Sequence, residues 1–283
     1  TEANSWQYSY YVPQDISSLI RLHGGKEKFE KNLDNLFSAN AETSGRNQAD
    51  ITGLIGQYAH GNEPSHHMAY LYNFVNKPHK TQEKVHKILT ELYKNAPDGI
   101  SGNEDCGQMS AWYVFSSLGF YPVTPGSSQY IIGTPLFPKA TINLENEKQF
   151  TIAAPDVSDA KKYVANISLN GKQIDRTYLY HDEIIQGGTL EFEMTDNPSL
   201  HGSQIGQEPK TEITEHLITP PPFIAKGNVA FKGQTEVELG CIDKDVTIYY
   251  RLGYKGGFKK YKQAFLIDKA INLSVYSEKK DEK

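Results

Sequence analysis

Asp98-Gly-Ile-Ser-Gly-Asn-Glu-Asp-Cys-Gly-Gln-Met-Ser-Ala-Trp-Tyr113 places three carboxylates, Asp98, Glu104 and Asp105, in a glycine-punctuated loop. The loop runs straight into Gln-Met-Ser-Ala-Trp-Tyr-Val-Phe. The apolar residues there fall on more than one side of a helix, so a buried helix over 107–118 is expected. Acids at the mouth of an apolar helix are what general acid–base chemistry needs, because burial and neighbours tune their proton affinity. A solvated loop also carries acids, and that plainer reading stands beside the catalytic one.

On the N-terminal side, residues 1 to about 120 read as helical. Asp15 can cap a helix through Ile16, Leu19 and Ile20 that stops at Gly24-Gly25. Lys26 to Phe37 puts Phe29, Leu33, Leu36 and Phe37 on one face. Pro64 opens a further expected helix over 65–75, and Val85, Ile88, Leu89 and Leu92 mark another over 81–93. Helices without intervening strands point to an all-helical layer or a helical barrel.

Beyond Pro135 the period changes to two. Ala140–Leu144, Gln149–Ala153 and Thr189–Met194 alternate as strands, and Asn170-Gly171 marks a hairpin. Residues 201–218 are polar and read as a linker. From 219 onward, Val229–Phe231, Thr235–Leu239, Val246–Tyr250 and Ile271–Tyr276 are expected strands of a small sandwich, followed by a frayed tail at 278–283. The expected domains are thus 1–135, 136–200 and 219–283, with 201–218 between the last two.

The chain has 283 residues, 38% of them hydrophobic, enough for two or three domains with a sizeable core. Its 18 tyrosines and 12 phenylalanines suit strands and sugar-stacking surfaces, although core packing takes most of them. A net charge of −5, with no basic block outside the last thirty residues or so, argues against a nucleic-acid partner. Cys106 and Cys241 fall in different expected domains, so a disulfide framework is not expected. No apolar run reaches membrane-spanning length. Starting at Thr1 without Met, the chain reads as the C-terminal portion of a longer protein. Asn166-Ile-Ser168 fits a glycosylation sequon, a pattern common by chance.

Two more polar clusters accompany the opening loop. Glu2-Ala-Asn-Ser-Trp-Gln-Tyr-Ser-Tyr-Tyr11 sets a carboxylate among aromatics. Such an acid, if buried, is fitted to donate a proton, while an exposed glutamate has no such role. Gln57-Tyr-Ala-His-Gly-Asn-Glu-Pro-Ser-His-His67 puts Glu63 at a helix N-terminus, where a carboxylate is favoured electrostatically. Asn62 and Glu63 are oxygen donors of the kind a hard cation such as calcium takes. His66 and His67 are adjacent rather than at zinc spacing, so substrate hydrogen bonding or packing is the reading for both. No nucleophile elbow, phosphate loop or dinucleotide fingerprint is present. Separated carboxylates with aromatics are the equipment of glycoside hydrolysis.

Gly56-Gln-Tyr-Ala-His-Gly-Asn-Glu-Pro-Ser-His-His-Met-Ala-Tyr-Leu-Tyr72 and Gly102-Asn-Glu-Asp-Cys-Gly-Gln-Met-Ser-Ala-Trp-Tyr-Val-Phe-Ser-Ser-Leu-Gly-Phe-Tyr-Pro122 resemble the calcium-dependent α-mannosidases of glycoside hydrolase family 92. The resemblance runs from Glu2 to about Pro198. It implies a portion of an (α/α)6 barrel over 1–135, strands of a β-sandwich over 136–200, and an inverting exo-α-mannosidase, with α-1,2 linkages expected, acting on N-glycans or mannans. It assigns Glu2 as general acid, Asp105 as general base and Glu63 as a calcium or subsite ligand, with Asn62, His66 and His67 along the same rim. Asn103 departs from the Asp that many members carry, which leaves a weakened, mannoside-binding protein as the alternative. The N-terminal half of the same protein is an implied partner, and a periplasmic, surface or secreted location is implied. The unit from Thr219 is similar to the small C-terminal Ig/FnIII-like sandwich of chitobiase-type hexosaminidases, through Thr247-Ile-Tyr-Tyr250.

Overall fold

The computed structural model describes residues 2–43, 48–214 and 219–279. Residue 1, the end of the expected linker at 215–218 and most of the expected tail, 280–283, lie outside the described residues. The chain separates into two compact units, Thr1–Glu212 and Ile213–Lys283.

Helices in the first unit begin where a cap is available. Asn4 and Gln7 form a reciprocal capping box at α1 (Ser5–Tyr8). The Asp15 carboxylate accepts from the Ser18 N–H at 2.8 Å and starts α2 (Ile16–Leu22). In α3 (Lys26–Ser38), Phe29, Leu33, Leu36 and Phe37 are buried, the face its spacing predicts. A short hairpin, β1 (Leu54–Ile55) and β2 (Tyr58–Ala59), then interrupts the region expected to be wholly helical.

The helix expected over 65–75 is not α-helical. Glu63–Ser65 is one 3₁₀ turn and Met68–Val75 is a 3₁₀ run whose eight residues are all buried. A segment enclosed on every side has no solvent face to specify α periodicity, so its neighbours decide its winding. Asn76, left-handed at φ 60°, ends it. The next helix, α4 (Pro78–Glu91), starts earlier than expected because Pro78 takes its first turn, where a missing N–H costs nothing. Last in the helical layer is α5 (Gln108–Ser117). These elements share one core around Phe29, Leu33, Tyr58, Tyr70, Val85 and Trp112.

Strands follow: β3 (Phe120–Tyr121), β4 (Gln129–Ile132), β5 (Lys139–Asn143), β6 (Gln149–Ala153), β7 (Tyr163–Leu169), β8 (Lys172–Gln173), β9 (Tyr178–Tyr180), then α6 (His181–Ile185) and β10 (Gly188–Thr195). One sheet has the order β3-β4-β9 and the other β5-β6-β10-β7-β8. Strand β10 runs parallel to β6 and antiparallel to β7. Asn170 (φ 53°) and Gly171 (φ 75°) turn β7 into β8 with both residues left-handed, as a primed hairpin turn requires. A second core joins the two sheets through Phe120, Ile132 and Leu179 on one side and Phe150, Ile167 and Phe192 on the other.

The beginning of the expected linker is packed onto the first unit instead. Thr211 accepts from the Ile16 N–H through its hydroxyl and from the Ser17 N–H through its carbonyl, so it caps α2 from outside. Glu208 is 8% exposed and bonds Lys26 and Asn76. Polar composition suggested a solvated linker, but here the polar groups satisfy helix ends and a half-buried cation.

The second unit holds β11 (Phe223–Lys226), β12 (Thr235–Gly240), β13 (Val246–Leu252), β14 (Lys259–Lys260), β15 (Phe265–Ile267) and β16 (Leu273–Lys279). They form two three-stranded antiparallel sheets, β11-β12-β15 and β14-β13-β16. The strand expected at Val229–Phe231 is absent: Val229 is fully exposed, and pairing with β12 is made by Phe223–Lys226. Gly227, at φ 150°, ends that strand before the apolar triplet begins. The last strand lies at Leu273–Lys279 rather than 271–276, with register set by pairing to β13.

Candidate active site

Three loops expected to carry chemistry meet in the first unit. The segment around Glu2 is tied to the Gln57–His67 loop by four bonds. Gln7 donates from Nε2 to the Gln57 carbonyl, Asn4 donates to Gln57 Oε1 (3.2 Å), Asn62 donates from Nδ2 to the Glu2 carbonyl (2.9 Å), and His67 Nε2 lies 2.8 Å from the Tyr10 carbonyl. Asn62 also caps the 3₁₀ turn that carries Glu63, accepting from its N–H. The amide of Asn62 therefore fixes the backbone at Glu2 and the start of the Glu63 turn at once.

The second and third loops touch backbone to backbone. A Cβ on Gly61 would lie 2.0 Å from the Ser101 carbonyl and 1.9 Å from Thr52 Oγ1. One on Gly102 would lie 2.7 Å from the Gly61 carbonyl. Only glycine permits that approach, and Thr52 Oγ1 seals it by donating to the Ser101 carbonyl at 2.6 Å.

Asp105, Cys106 and Gly107 are consecutive left-handed residues at φ 48°, 57° and 94°. For the two non-glycine residues this costs on the order of 1–2 kcal/mol each. Glu104 holds the turn in place: its carboxylate accepts from the Ser110 N–H (3.1 Å) and hydroxyl (2.8 Å) at the start of α5. Of the loop's acids, Glu104 is thus a helix anchor, and Asp105 is projected outward and exposed. Strain of this kind persists where the surroundings over-determine it, often at functional sites. Asn103 is exposed beside it, and Asp98 is exposed in the preceding turn.

Glu63, His66 and His67 line a cleft of about 250 Å³ together with Tyr11, Gln108 and Tyr121. His66 Nε2 lies 2.9 Å from the His60 carbonyl, so that nitrogen carries the proton, and Nδ1 accepts from Gln108 at 3.1 Å. Burial drives the proton affinity of His66 down to about 4, against opposing pulls from the His60 carbonyl and the nearby Asp105 charge. His67 is also lowered to about 4 by burial. Both rings are neutral near pH 7. They are oriented donors to backbone, which favours a positioning role. Tyr121 is pushed up to about 12 by burial and remains a phenol. Gln108 reaches both His66 and Tyr121 with its amide nitrogen, leaving its amide oxygen as an acceptor.

Behind this rim, His60 Nε2 meets the Tyr93 hydroxyl at 2.7 Å and Nδ1 meets the Tyr58 hydroxyl at 2.8 Å, while Tyr93 donates to the Met109 carbonyl. Trp112 donates to the His66 carbonyl at 2.9 Å. The aromatic residues read as core in the sequence thus hold the rim from below. Gln108 and Tyr121 were missed as rim residues, although both lie inside the quoted motif, in Cys-Gly-Gln-Met and Gly-Phe-Tyr-Pro.

Glu2 is exposed, so the buried acid considered above is not realised among the described residues. Its backbone is bonded into the site, but no described bond joins its carboxylate to Asp105. Calcium takes about six to eight oxygen ligands. Among the described residues no three acidic, histidine or cysteine side chains form a metal-holding group, and the Nε2 atoms of both rim histidines are engaged with carbonyls. Glu63 is the carboxylate that the rim offers to a hard cation.

The description "Glycosyl hydrolase family 92 catalytic domain" matches residues 1–196. A protein of Arthroderma benhamiae described as an uncharacterized secreted glycosidase is 29% identical over 205 residues, 71% of this chain and 24% of that protein. The family GH92 α-mannosidase BT3965 of Bacteroides thetaiotaomicron, solved with mannoimidazole, is 42% identical with a TM-score of 0.70 over 75% of this chain and 28% of that one. The family GH92 inverting mannosidase BT2199 of the same organism is 39% identical with a TM-score of 0.66, over 75% of this chain and 30% of that one. The chain therefore spans under a third of the length of these relatives.

Proposed function

The chain belongs to glycoside hydrolase family 92, and from that premise we propose that it carries the catalytic carboxylates of an exo-acting, inverting α-mannosidase. The convergence of three loops carries this reading, with Asn62 bonded to the backbone of Glu2 and Gly61 packed on Gly102. Glu2 protonates the glycosidic oxygen as the C1–O bond breaks. Asp105 takes a proton from a water that attacks C1 from the opposite face, so an α-linked mannose leaves as the β-anomer. Gln108 and Tyr121 offer hydrogen bonds to sugar hydroxyls, and Glu63, Asn62, His66 and His67 shape the same rim. Similarity to the two mannosidase structures supports mannose as the substrate, and the reading takes N-glycans or mannans with α-1,2 linkages as its source.

Calcium, when bound, would polarise sugar hydroxyls and favour ring distortion. Glu63 would be one ligand, and the N-terminal half of the same protein is the implied partner. That half would also complete the (α/α)6 barrel and the sandwich. A secreted, surface or periplasmic location follows the secreted glycosidase relative. No helix among the described residues is long and apolar enough to cross a membrane. The second unit is an accessory module akin to the chitobiase-type C-terminal sandwich.

Proton NMR of α-1,2-mannobiose digested by the intact protein tests the reading. Release of β-mannose that stops with chelator and returns with calcium is expected. Glu2→Gln and Asp105→Ala should each lower turnover by about 10²–10⁴-fold. Mannoside binding without release would instead identify a weakened binder, with Asn103→Asp as the change that restores turnover.

A further inference from the structure

We propose that the outward face of the β14-β13-β16 sheet binds an anionic polysaccharide. Register places Lys260, Tyr249 and Tyr276 in one row across its three strands. The Tyr249 and Tyr276 rings stack at 5.0 Å with 11° between their planes. In the next row but one Arg251 is paired with Ser274, and the Arg251 guanidinium lies 4.7 Å from the Phe258 ring, which packs edge-on against Tyr276. Tyr276 and Phe258 are 42% and 39% exposed. The opposite face is different: there Tyr250 stacks on Phe265 and contacts Tyr261 inside the unit.

Charge selects the occupant. Arg251-Leu-Gly-Tyr-Lys-Gly-Gly-Phe-Lys-Lys-Tyr-Lys262 holds five cations and no acid. None of the five is ion-paired among the described residues, whereas Lys226 and Lys279 of the same unit pair with Glu236 and Asp243. The same register puts one acid, Glu278, on this face, where it lies beside the Tyr249 hydroxyl. Cations without a carboxylate partner favour a polyanion. Flat aromatic rings in a row favour the apolar faces of sugar rings. A unit on the same chain as a glycosidase catalytic domain favours a glycan over a nucleic acid.

Affinity electrophoresis of the full chain through gels containing polygalacturonate tests the proposal. Retardation is expected and should weaken with added salt. Lys260→Glu, which reverses the charge in the Tyr249–Tyr276 row, and Tyr276→Ala should each weaken binding about tenfold. Phe258→Leu, which keeps an apolar side chain, provides the ring test if Tyr276→Ala unfolds the unit. Absence of retardation overturns the proposal. So does equal retardation of the ring variants, which would show charge alone, or of the lysine variant, which would show a neutral-sugar site. Tighter binding to single-stranded DNA than to polygalacturonate would assign the face to nucleic acid.

Discussion

In the first unit Trp112, Tyr58, Tyr70, Phe29 and Phe150 are fully enclosed, whereas in the second Val237 and Leu239 are the buried hydrophobic residues among those described. Size explains much of this. A small unit buries a smaller fraction of its surface, so its large apolar groups end at the boundary. Phe223, Tyr254 and Leu266 are accordingly exposed. Charge divides in the same place: residues 1–212 hold 17 Lys and Arg against 25 Asp and Glu, while 213–283 hold 12 against 9. The chain's net −5 hides an acidic unit and a basic one. The two units are separately compact, so perturbing one should leave the other standing.

The largest effect is expected at Trp112, whose ring packs on His60 at 4.4 Å and whose N–H holds His66. Trp112→Ala should remove about 3–5 kcal/mol from the first unit. Urea unfolding followed by hydrogen exchange should show that loss in residues 2–212, with exchange in 219–279 unchanged.

Acid should act next, again on one unit only. Burial of Glu208 opposes ionisation, but bonds from Lys26, Asn76 and the Gly206 N–H outweigh it and draw the carboxyl from 4.5 down to about 2. Because the folded value is the lower one, its stabilisation is complete above about pH 4.5 and is lost as pH falls through 2. Up to about 3 kcal/mol is at stake. A pH titration of thermal midpoint should show this acid loss in the native protein and a flatter profile in Glu208→Gln. Identical profiles would detach Glu208 from the stability of the first unit.

Leu239→Ala should cost about 2 kcal/mol, a modest figure for a core leucine but a large share of what so small a core supplies. Calorimetry should show a lowered second transition beside an unmoved first. At the smallest scale, Gly61→Ala should push its loop away from the Ser101–Gly102 loop without unfolding either unit, since its Cβ meets Ser101 and Thr52. We expect about 1–3 kcal/mol of destabilisation from the forced shift, read as a loss of turnover with near-native circular dichroism.

Much of the local structure was legible along the chain. Asp15 before an apolar face, the Phe29–Phe37 stripe and Asn170-Gly171 each carry a signal within a few residues of the structure they specify. The missed strands, Gln129–Ile132 and Tyr178–Tyr180, are short and pair with each other, Gln129 opposite Tyr180, far apart in the chain, so period-two alternation hardly develops in them. Residues 201–212 misled because polar composition looks the same in a solvated linker and in a segment whose polar groups cap a neighbouring helix. In the site, the motif loops were visible as sequence, but Gln108 gained its place through His66 and Tyr121 through Gln108, which no spacing encodes.

The sequence by itself determined the family, the caps and turns, and which loops carry the carboxylates, because those signals reside in neighbouring residues. The tertiary structure alone decided that Asn62 grips the backbone at Glu2, that Gly61 and Gly102 meet without side chains, and that Met68–Val75 winds as a 3₁₀ helix. Each of these depends on contacts between distant segments in a close-packed interior, where a misfit of one methyl group is felt.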